Sequence, residues 1–256
     1  MSRISLITSK DNSNIKAISL LQKSSKRRRE EGVFILEGLR LCLDAVQNKF
    51  SPVKVFFSTT FLSKNQDVIC RFNAATELYE ISDYLFEKIS DTVNPQGILC
   101  TFKIPSSANL NSDGKYIALE NIQDPSNLGA ISRTAEAFNI DGIIICGGCD
   151  PYSSKSLRAS MGALLRIPVI ETDDMFTLFS RHSLTSFASV VSTNESSIND
   201  MEFRCGSVVI IGNEANGVSK STIEKANHRF TIPMTGKAES LNAAVAASII
   251  IWEMCK

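Results

Sequence analysis

Three polar segments of the sequence combine residue types that could bind an anion and orient a reacting group. They are Glu120–Gly129, Gly212–Gly217 and Ile232–Asn242. Arg133 follows the first segment, where its guanidinium could point back and bind a phosphate or a carboxylate bidentately. Glu214 lies in the second segment, between two glycines that allow close approach of a ligand. The predicted chemistry is binding and orientation of a charged or polar ligand.

Each segment also has a purely structural interpretation that the residue pattern leaves open. Asn127 and Ser240 suit helix caps, and Gly212–Gly217 suits an ordinary turn. Arginines on helices usually face solvent, so Arg133 by itself indicates little. The functional interpretation is favoured because all three segments contain glycine and follow predicted strands of one sheet.

The elements that must position these segments alternate between strands and helices. We expect strands over 53–58, 78–81, 97–102, 116–119, 142–146, 168–170, 186–192, 208–211 and 230–232, and helices over 12–21, 38–48, 128–139, 155–165 and 240–255. The runs Ile143–Ile145 and Val208–Ile211 are apolar without alternation, which is typical of parallel strands covered by helices on both faces. The second part of the chain is therefore predicted to be a doubly wound α/β domain. Ligands bind such sheets beyond the carboxyl ends of the strands, where the three segments lie.

The chain has 256 residues, which is long enough for two domains. Residues 106–114 are rich in Ser, Asn and Gly and predict a linker between a small α/β domain at 1–105 and a second domain at 115–256. The 27 Lys+Arg balance the 27 Asp+Glu, so a nucleic-acid partner would have to be held by a local patch.

A local basic patch is present in the first domain. Residues 1–54 carry 11 basic and 5 acidic side chains. The candidate RNA-binding residues are Lys23, Lys26, Arg27, Arg28, Arg29 and Arg40. Such a cluster can follow a phosphate backbone, although a solvated helix end is the commoner reason for a charge run.

Several other classes of protein are disfavoured. The first thirty residues lack the apolar stretch of a secretory signal, no apolar run is long enough to cross a bilayer, and seven scattered cysteines suit a reducing compartment, so we expect a cytoplasmic protein. The sequence contains neither of the usual glycine-rich nucleotide-binding motifs. It also lacks the G-x-S-x-G elbow of serine hydrolases. Cys146 and Cys149 have zinc or redox spacing, but no histidine with matching spacing completes a site, so no metal is expected.

The three segments together resemble the signature motifs of the SpoU (TrmH-like) family of RNA ribose 2'-O-methyltransferases, which belong to the trefoil-knotted group. The matching positions are Asn121, Asp124, Pro125, Asn127, Gly129, Arg133 and Thr134 in the first motif, Gly212, Glu214 and Gly217 in the second, and Ile232, Pro233, Met234, Gly236, Ser240, Leu241 and Asn242 in the third. The stretches Asp150–Lys155 and Arg158–Ala163 are also similar to the family. The front part is similar to the small substrate-binding domain of many members, at Phe34–Arg40 and Pro95–Ile98.

The resemblance implies a deep C-terminal trefoil knot, S-adenosylmethionine as the methyl donor, a homodimer whose subunits share each site, and RNA as substrate. It implies a catalytic set of Arg133, Asn127, Glu214, Ser240 and Asn242. The implied cofactor-binding set is Thr193, Gly212, Asn213, Gly217, Ile232, Met234, Ser240 and Leu241. Ribosomal RNA is the expected substrate, with transfer RNA as the alternative.

Two roles for Arg133 stay open. The family proposal makes this arginine the base that takes the proton of the ribose hydroxyl, whereas a guanidinium ordinarily keeps its own proton. Arg133 would then act as a base with help from an RNA phosphate, or as a clamp on that phosphate. A noncatalytic RNA-binding ribosome-assembly factor and a small-molecule methyltransferase are the alternatives to an RNA-modifying enzyme.

Overall fold

The computed structural model describes residues 4–72, 75–106 and 109–256 and divides into two compact units. The first unit comprises Met1–Ser106 with Tyr152–Arg158, and the second comprises Ser107–Pro151 with Ala159–Lys256. Ser107 and Ala108 of the predicted linker lie outside the described residues. Just after them, Leu110 is buried in the core of the second unit.

The first unit is a mixed five-stranded sheet with helices. Its elements are β1 (Ile4–Ile7), α1 (Ser13–Lys23), α2 (Ser25–Glu31), β2 (Val33–Glu37), α3 (Leu39–Gln47), β3 (Pro52–Ser58), α4 (Thr59–Lys64), β4 (Glu77–Ile81), α5 (Asp83–Ile89) and β5 (Ile98–Lys103). The strand order is β1-β4-β3-β5-β2, with β5 antiparallel to both of its neighbours and the other pairs parallel. Apolar side chains of α1, α5 and the central strands form its core, which includes Ile18, Phe56 and Phe86.

The second unit is built on a seven-stranded sheet. Its elements are β6 (Tyr116–Glu120), α6 (Pro125–Ala137), β7 (Gly142–Cys146), α7 (Ser154–Ala159), β8 (Val169–Glu171), α8 (Met175–Arg181), β9 (Thr185–Ser189), β10 (Ser196–Ser197), β11 (Ser207–Ile211), α9 (Lys220–Lys225), β12 (His228–Thr231) and α10 (Ala243–Met254). Most of α7 groups with the first unit. The strand order is β10-β12-β9-β11-β6-β7-β8, and every neighbouring pair is parallel.

The predicted α/β class with a parallel sheet is confirmed. Every residue of β6 and β11 is buried, as expected for strands covered on both faces. Because all seven strands run in one direction, the segments that follow β6, β11 and β12 lie at the same edge of the sheet. The strand order does not specify how the connections thread, so the trefoil knot stays a prediction.

Several element boundaries differ from the sequence expectation for local reasons. The helix α6 begins at Pro125 because the Asp124 side chain caps it by accepting from the Ser126 N–H at 2.8 Å, so Asn127 is inside the helix and is not its cap. Likewise Asn242, and not Ser240, caps α10 by accepting from the N–H groups of Ala244 and Val245.

The predicted helix over 155–165 is interrupted. The helix α7 ends at Ala159, and Met161 and Gly162 have φ angles of 49° and 88°. Left-handed backbone cannot continue an α-helix, so only a short 3-10 turn over Ala163–Leu165 follows. The short elements β1, α2, β2, α4, α5, α8, β10 and α9 were not among the expected elements. Within the described residues, no helix is long and apolar enough to cross a membrane.

Candidate active site at the carboxyl edge of the second sheet

The first two polar segments meet because their strands are neighbours. In the β6–β11 pair, Leu119 lies opposite Ile211, so both chains leave the sheet side by side. The side chain of Asn213 donates from Nδ2 to the carbonyl oxygen of Asn121 at 2.9 Å. The structure therefore joins residues that are 92 positions apart in the sequence.

Glu214 holds the segment before α6 through its carboxylate. Oε2 accepts from the Gln123 N–H at 3.1 Å, and Oε1 accepts from the Asp124 N–H at 3.1 Å. Oε1 also accepts from Nδ2 of Asn127 at 2.9 Å. The carboxylate is thus a clamp that fixes the loop carrying the first motif.

Asn127 extends this contact to the third motif. It is only 8% exposed, and its Oδ1 accepts from Nδ2 of Asn242 at 3.1 Å. Since Asn242 caps α10 with its own Oδ1, the orientation of Asn127 is linked to the start of that helix. Glu214, Asn127 and Asn242 therefore form one hydrogen-bonded chain, which we call the motif network.

The motif network favours the ionised form of Glu214. Desolvation acts to raise its pKa, but the hydrogen bonds from Asn127 and from backbone N–H groups including those of Gln123 and Asp124 outweigh desolvation and lower the pKa. At neutral pH Glu214 is a hydrogen-bond acceptor and not a proton donor.

Gly212, Asn213 and Gly217 close a tight loop on themselves. The Asn213 N–H donates to the Gly217 carbonyl at 3.0 Å, and the Gly217 N–H donates to the Asn213 carbonyl at 2.8 Å. A Cβ atom on Gly212 would lie 2.0 Å from the carbonyl carbon of Gly217. Glycine at 212 is required for this loop closure.

A partly open cavity with mainly apolar walls lies between the ends of β9 and β12 and the start of α10. It is lined by Ser189, Val190, Val191, Thr231, Ile232, Met234, Leu241 and Ala246. Of the sequence-predicted cofactor residues, Ile232, Met234 and Leu241 line it. Thr193, Gly212, Asn213, Gly217 and Ser240 are not among its lining residues.

The backbone beside this cavity is free to bind a polar ligand. Among the described groups of residues 233–241, none makes a backbone–backbone hydrogen bond. Unpaired N–H and C=O groups next to apolar walls can pair with the edge of a purine and with hydroxyl groups. The residues present therefore fit S-adenosylmethionine: the apolar side chains would hold the apolar parts of the donor, and the backbone of 233–241 would supply polar contacts. Ser240 lies in this exposed segment.

Arg133 stands apart from both the motif network and the cavity. Its side chain is exposed on α6 and forms no hydrogen bond or ion pair with any residue that the structure describes. It lines a separate, open concavity with Thr134, Phe138, Met161 and Arg166. An unpaired guanidinium at a surface is available to an anion from outside the unit.

Sequence reasoning missed Glu120, the residue before the first motif. Glu120 is 7% exposed, and its carboxylate accepts from the N–H and Oγ of Ser219 and from Oγ1 of Thr222, at 2.7 to 2.8 Å. A glutamate at the end of an apolar strand was the available signal, since a buried carboxylate requires partners.

In the first unit, the basic cluster is not uniform. Lys23, Lys26, Arg27, Arg29 and Arg40 are exposed. Arg28 is 5% exposed, and its Nη1 donates to the carbonyl oxygens of Leu21 and Gln22. Arg28 therefore satisfies the end of α1 and does not face solvent.

The described residues contain no group of three or more side chains that could hold a metal ion. The Cys146–Cys149 loop instead packs on the first motif, since the Asn121 N–H donates to the Cys146 carbonyl at 2.9 Å and the Cys149 N–H donates to the Ile122 carbonyl at 2.8 Å. None of the seven cysteines, all of which lie among the described residues, forms a disulfide bond.

Comparison with known proteins agrees with this geometry. Residues 114–252 match the family model described as the SpoU rRNA Methylase family, and residues 12–100 match the MRM3-like substrate binding domain. An uncharacterised tRNA/rRNA methyltransferase of Synechocystis sp. is 31% identical, over 98% of this chain and 94% of its own length. The 23S rRNA (guanosine(2553)-2'-O)-methyltransferase RlmP of Bacillus subtilis is 28% identical, over 90% and 92%.

Among solved structures, the AdoMet-bound rRNA methyltransferase from Sinorhizobium meliloti is similar over 98% of this chain and 97% of its own, with a TM-score of 0.86 and 27% identity. The motif network and the cavity occupy the part of the chain that matches the methylase family model. The chain therefore belongs to the SpoU rRNA methylase family and is an S-adenosylmethionine-dependent methyltransferase.

Proposed function

We propose that this protein methylates the 2'-hydroxyl of a ribose in ribosomal RNA. The single observation that carries this proposal is the motif network, which fixes three distant motifs of the family beside a cavity that fits the methyl donor. The names of the relatives and the substrate-binding family model of the first unit support ribosomal RNA. Transfer RNA is the runner-up, since the name of the Synechocystis relative includes both RNAs.

Methyl transfer of this kind depends mainly on positioning. S-adenosylmethionine supplies an electrophilic methyl group on a sulfonium. The cavity residues Ile232, Met234 and Leu241 bind and orient the donor, and Glu214, Asn127 and Asn242 keep the motif loops in place. Holding two reactants in line removes most of the entropic part of the barrier.

The ribose hydroxyl must lose a proton during attack, so a group has to receive it. Arg133 is the candidate that lies free at the surface of α6. Because a guanidinium keeps its proton, we favour Arg133 as a clamp that holds an RNA phosphate next to the attacking oxygen, with the phosphate or another group receiving the proton. Ser240, in the exposed segment before α10, is proposed to contact the ribose or that phosphate.

The position of Arg133 supports a homodimer whose subunits share each site. Arg133 lines a different cavity from Ile232, Met234 and Leu241, and the Arg133 of a second subunit would supply the guanidinium at the cofactor. Val245, Ile249 and Trp252 form one exposed apolar face of α10. Phe138, 37% exposed, packs edge-on against Trp252 at a centroid distance of 5.5 Å. A second copy of the chain would bury this face.

Residues 1–105 are proposed to bind the RNA, with 115–256 as the catalytic domain. Lys23, Lys26, Arg27, Arg29 and Arg40 are exposed cations that could neutralise phosphates. We leave Arg28 out because its guanidinium is buried against the carbonyl groups of α1. The free thiols support a cytoplasmic location.

The test is a map of 2'-O-methyl groups in total RNA from cells with and without the gene, together with transfer of labelled methyl to purified RNAs. Loss of one ribosomal ribose methylation, restored by the purified protein, is the expected result. A site lost only from transfer RNA would select the runner-up. Labelling of small molecules that needs neither RNA nor residues 1–105 would contradict both. Calorimetry with S-adenosylmethionine separates the catalytic interpretation from a noncatalytic RNA-binding factor, which would bind RNA without the donor.

A further inference from the structure

Glu120 is a buried carboxylate that neither the motifs nor the proposed chemistry explains. It is the last residue of β6 and directly precedes the first motif loop. Its donors are the Ser219 N–H at 2.8 Å on Oε2, and the Ser219 and Thr222 hydroxyls at 2.8 and 2.7 Å on Oε1. These bonds reach 99 to 102 positions along the chain.

The donors of these bonds lie at the base of the loop that carries Glu214. Ser219 follows that loop and caps α9, and the loop itself is closed by the two bonds between Asn213 and Gly217. Glu214 therefore lies on a closed loop that cannot shift independently of its base. Glu120 fixes the base of the loop that carries Glu214. Glu214, at the tip of that loop, fixes the first motif loop, which begins one residue after Glu120.

The two carboxylates therefore accept hydrogen bonds in opposite directions across the neighbouring ends of β6 and β11. Glu120, from the first segment, accepts from Ser219, two residues after the second segment, and Glu214, from the second segment, accepts from the first. Together with the bond from Asn213 to the Asn121 carbonyl, the two carboxylates fix the relative orientation of the loops. We propose that Glu120 is a positioning residue for methyl transfer, which acts by holding Glu214 where it can bind the backbone of Gln123 and Asp124.

The donors to Glu120 are neutral, an N–H group and two hydroxyl groups, and this decides the choice of variants. In Glu120→Gln the amide oxygen can still accept from the Ser219 N–H, and its NH₂ can donate to the two hydroxyls after they rotate. In Glu120→Ala all three bonds are lost. The proposal therefore predicts a strong effect of alanine and rescue by glutamine.

The direct readout is amide hydrogen exchange at Gln123 and Asp124, compared with exchange in the buried strand β11, which reports a general loss of stability. These N–H groups bond to Glu214, not to Glu120. In Glu120→Ala we expect their exchange to accelerate about tenfold and Glu120→Gln to restore it. Glu224→Gln, an exposed change on α9, is the matched control and leaves both amides as in the wild type.

The kinetic arm rests on the proposed function and uses ribosomal RNA from cells that lack the gene. We expect Glu120→Ala to lower kcat about 10- to 100-fold, because misplacement of a positioning element costs rate. The dissociation constant for S-adenosylmethionine stays within about twofold, since the cavity residues are elsewhere. If Glu120→Ala does not fold, Ser219→Ala is the substitute, because it removes one of the three hydrogen bonds to Glu120. We expect it to change amide exchange and kcat in the same direction as Glu120→Ala, by a smaller factor.

The outcomes are distinguishable. Exchange at Gln123 and Asp124 that stays unchanged in a folded alanine variant overturns the proposal, as does an unchanged kcat in a variant with a lowered melting temperature. Absence of methylation by the wild-type protein would refute the proposed function alone, because the exchange measurement needs no RNA.

Discussion

Replacement of Glu214 by glutamine tests the motif network most directly. The variant keeps the size of the side chain and removes its charge. Three hydrogen bonds of 2.9 to 3.1 Å hold the carboxylate of Glu214: Oε1 accepts two, and Oε2 accepts one from the backbone N–H of Gln123. A fourth, from Nδ2 of Asn213 to Oε2, is longer, at 3.5 Å. The less costly orientation of the new amide places its oxygen at the Oε1 position and its NH₂ against the Gln123 N–H, so one bond is lost and two are weakened.

The magnitude follows from these three bonds. A hydrogen bond to a charged group contributes about 1.5–3 kcal/mol and a neutral one about 0.5–1.5 kcal/mol. One lost bond and two weakened ones would sum to about 4 kcal/mol if fully buried. Because Glu214 is exposed to water at the edge of the sheet, solvent replaces part of that loss, and we expect about 2 kcal/mol. If all of this free energy is lost from stabilisation of the transition state, kcat/KM falls roughly 30-fold.

The assay is methyl transfer to ribosomal RNA at saturating S-adenosylmethionine, with Glu224→Gln as the matched exposed control. Donor affinity, measured by calorimetry, should be unchanged because Glu214 does not line the cofactor cavity. Activity of Glu214→Gln within twofold of the control would refute the reasoning. So would a fall in donor affinity large enough to account for the whole loss.

Three further predictions follow from the site. Arg133→Lys keeps the positive charge but loses the bidentate geometry of the guanidinium. If Arg133 is a phosphate clamp, we expect kcat about 10-fold lower for Arg133→Lys and at least about 100-fold lower for Arg133→Ala in rapid-quench assays. Equal losses in the two variants would favour a role tied to guanidinium geometry. The lowered pKa of Glu214 means that its stabilisation is complete above the ordinary value of 4.5 and is lost as pH falls through the lower folded value. Urea unfolding of the wild type and Glu214→Gln should therefore differ at pH 7 and converge at acid pH; a constant difference would contradict this. Trp252→Arg places a charge on the exposed face of α10, so we expect monomers by sedimentation and loss of activity without loss of folding.

Some of the site could be read from residue types because the backbone geometry there demands them. The apolar runs Ile143–Ile145 and Val208–Ile211 identified buried parallel strands, and the polar segments after them marked the carboxyl edge. Gly212 was identified as a position of close approach, and the structure gives the reason, since a side chain there would overlap Gly217. The partners of Glu214 were not predictable in the same way, because two of its donors are backbone N–H groups that every sequence contains.

Helix boundaries show the same limit. Asn127, Ser240 and Asn242 are all capable caps, and the sequence favoured the first two. In the structure Asp124 and Asn242 form the caps, which leaves Asn127 inside α6, free to bridge Glu214 and Asn242. The sequence likewise does not distinguish Arg28 from its basic neighbours. The packing of α1 and α2 buries its side chain.

The sequence by itself determined the parallel α/β class and the motifs, because hydrophobic periodicity and special backbone positions are local properties. The tertiary structure alone decided which carboxylate meets which loop, which arginine is buried and which lies free, and which side chains line the cofactor cavity. Those outcomes depend on strand order, here the placement of β6 beside β11, which brings together groups about 90 residues apart. Their hydrogen bonds form only after the sheet has set that distance.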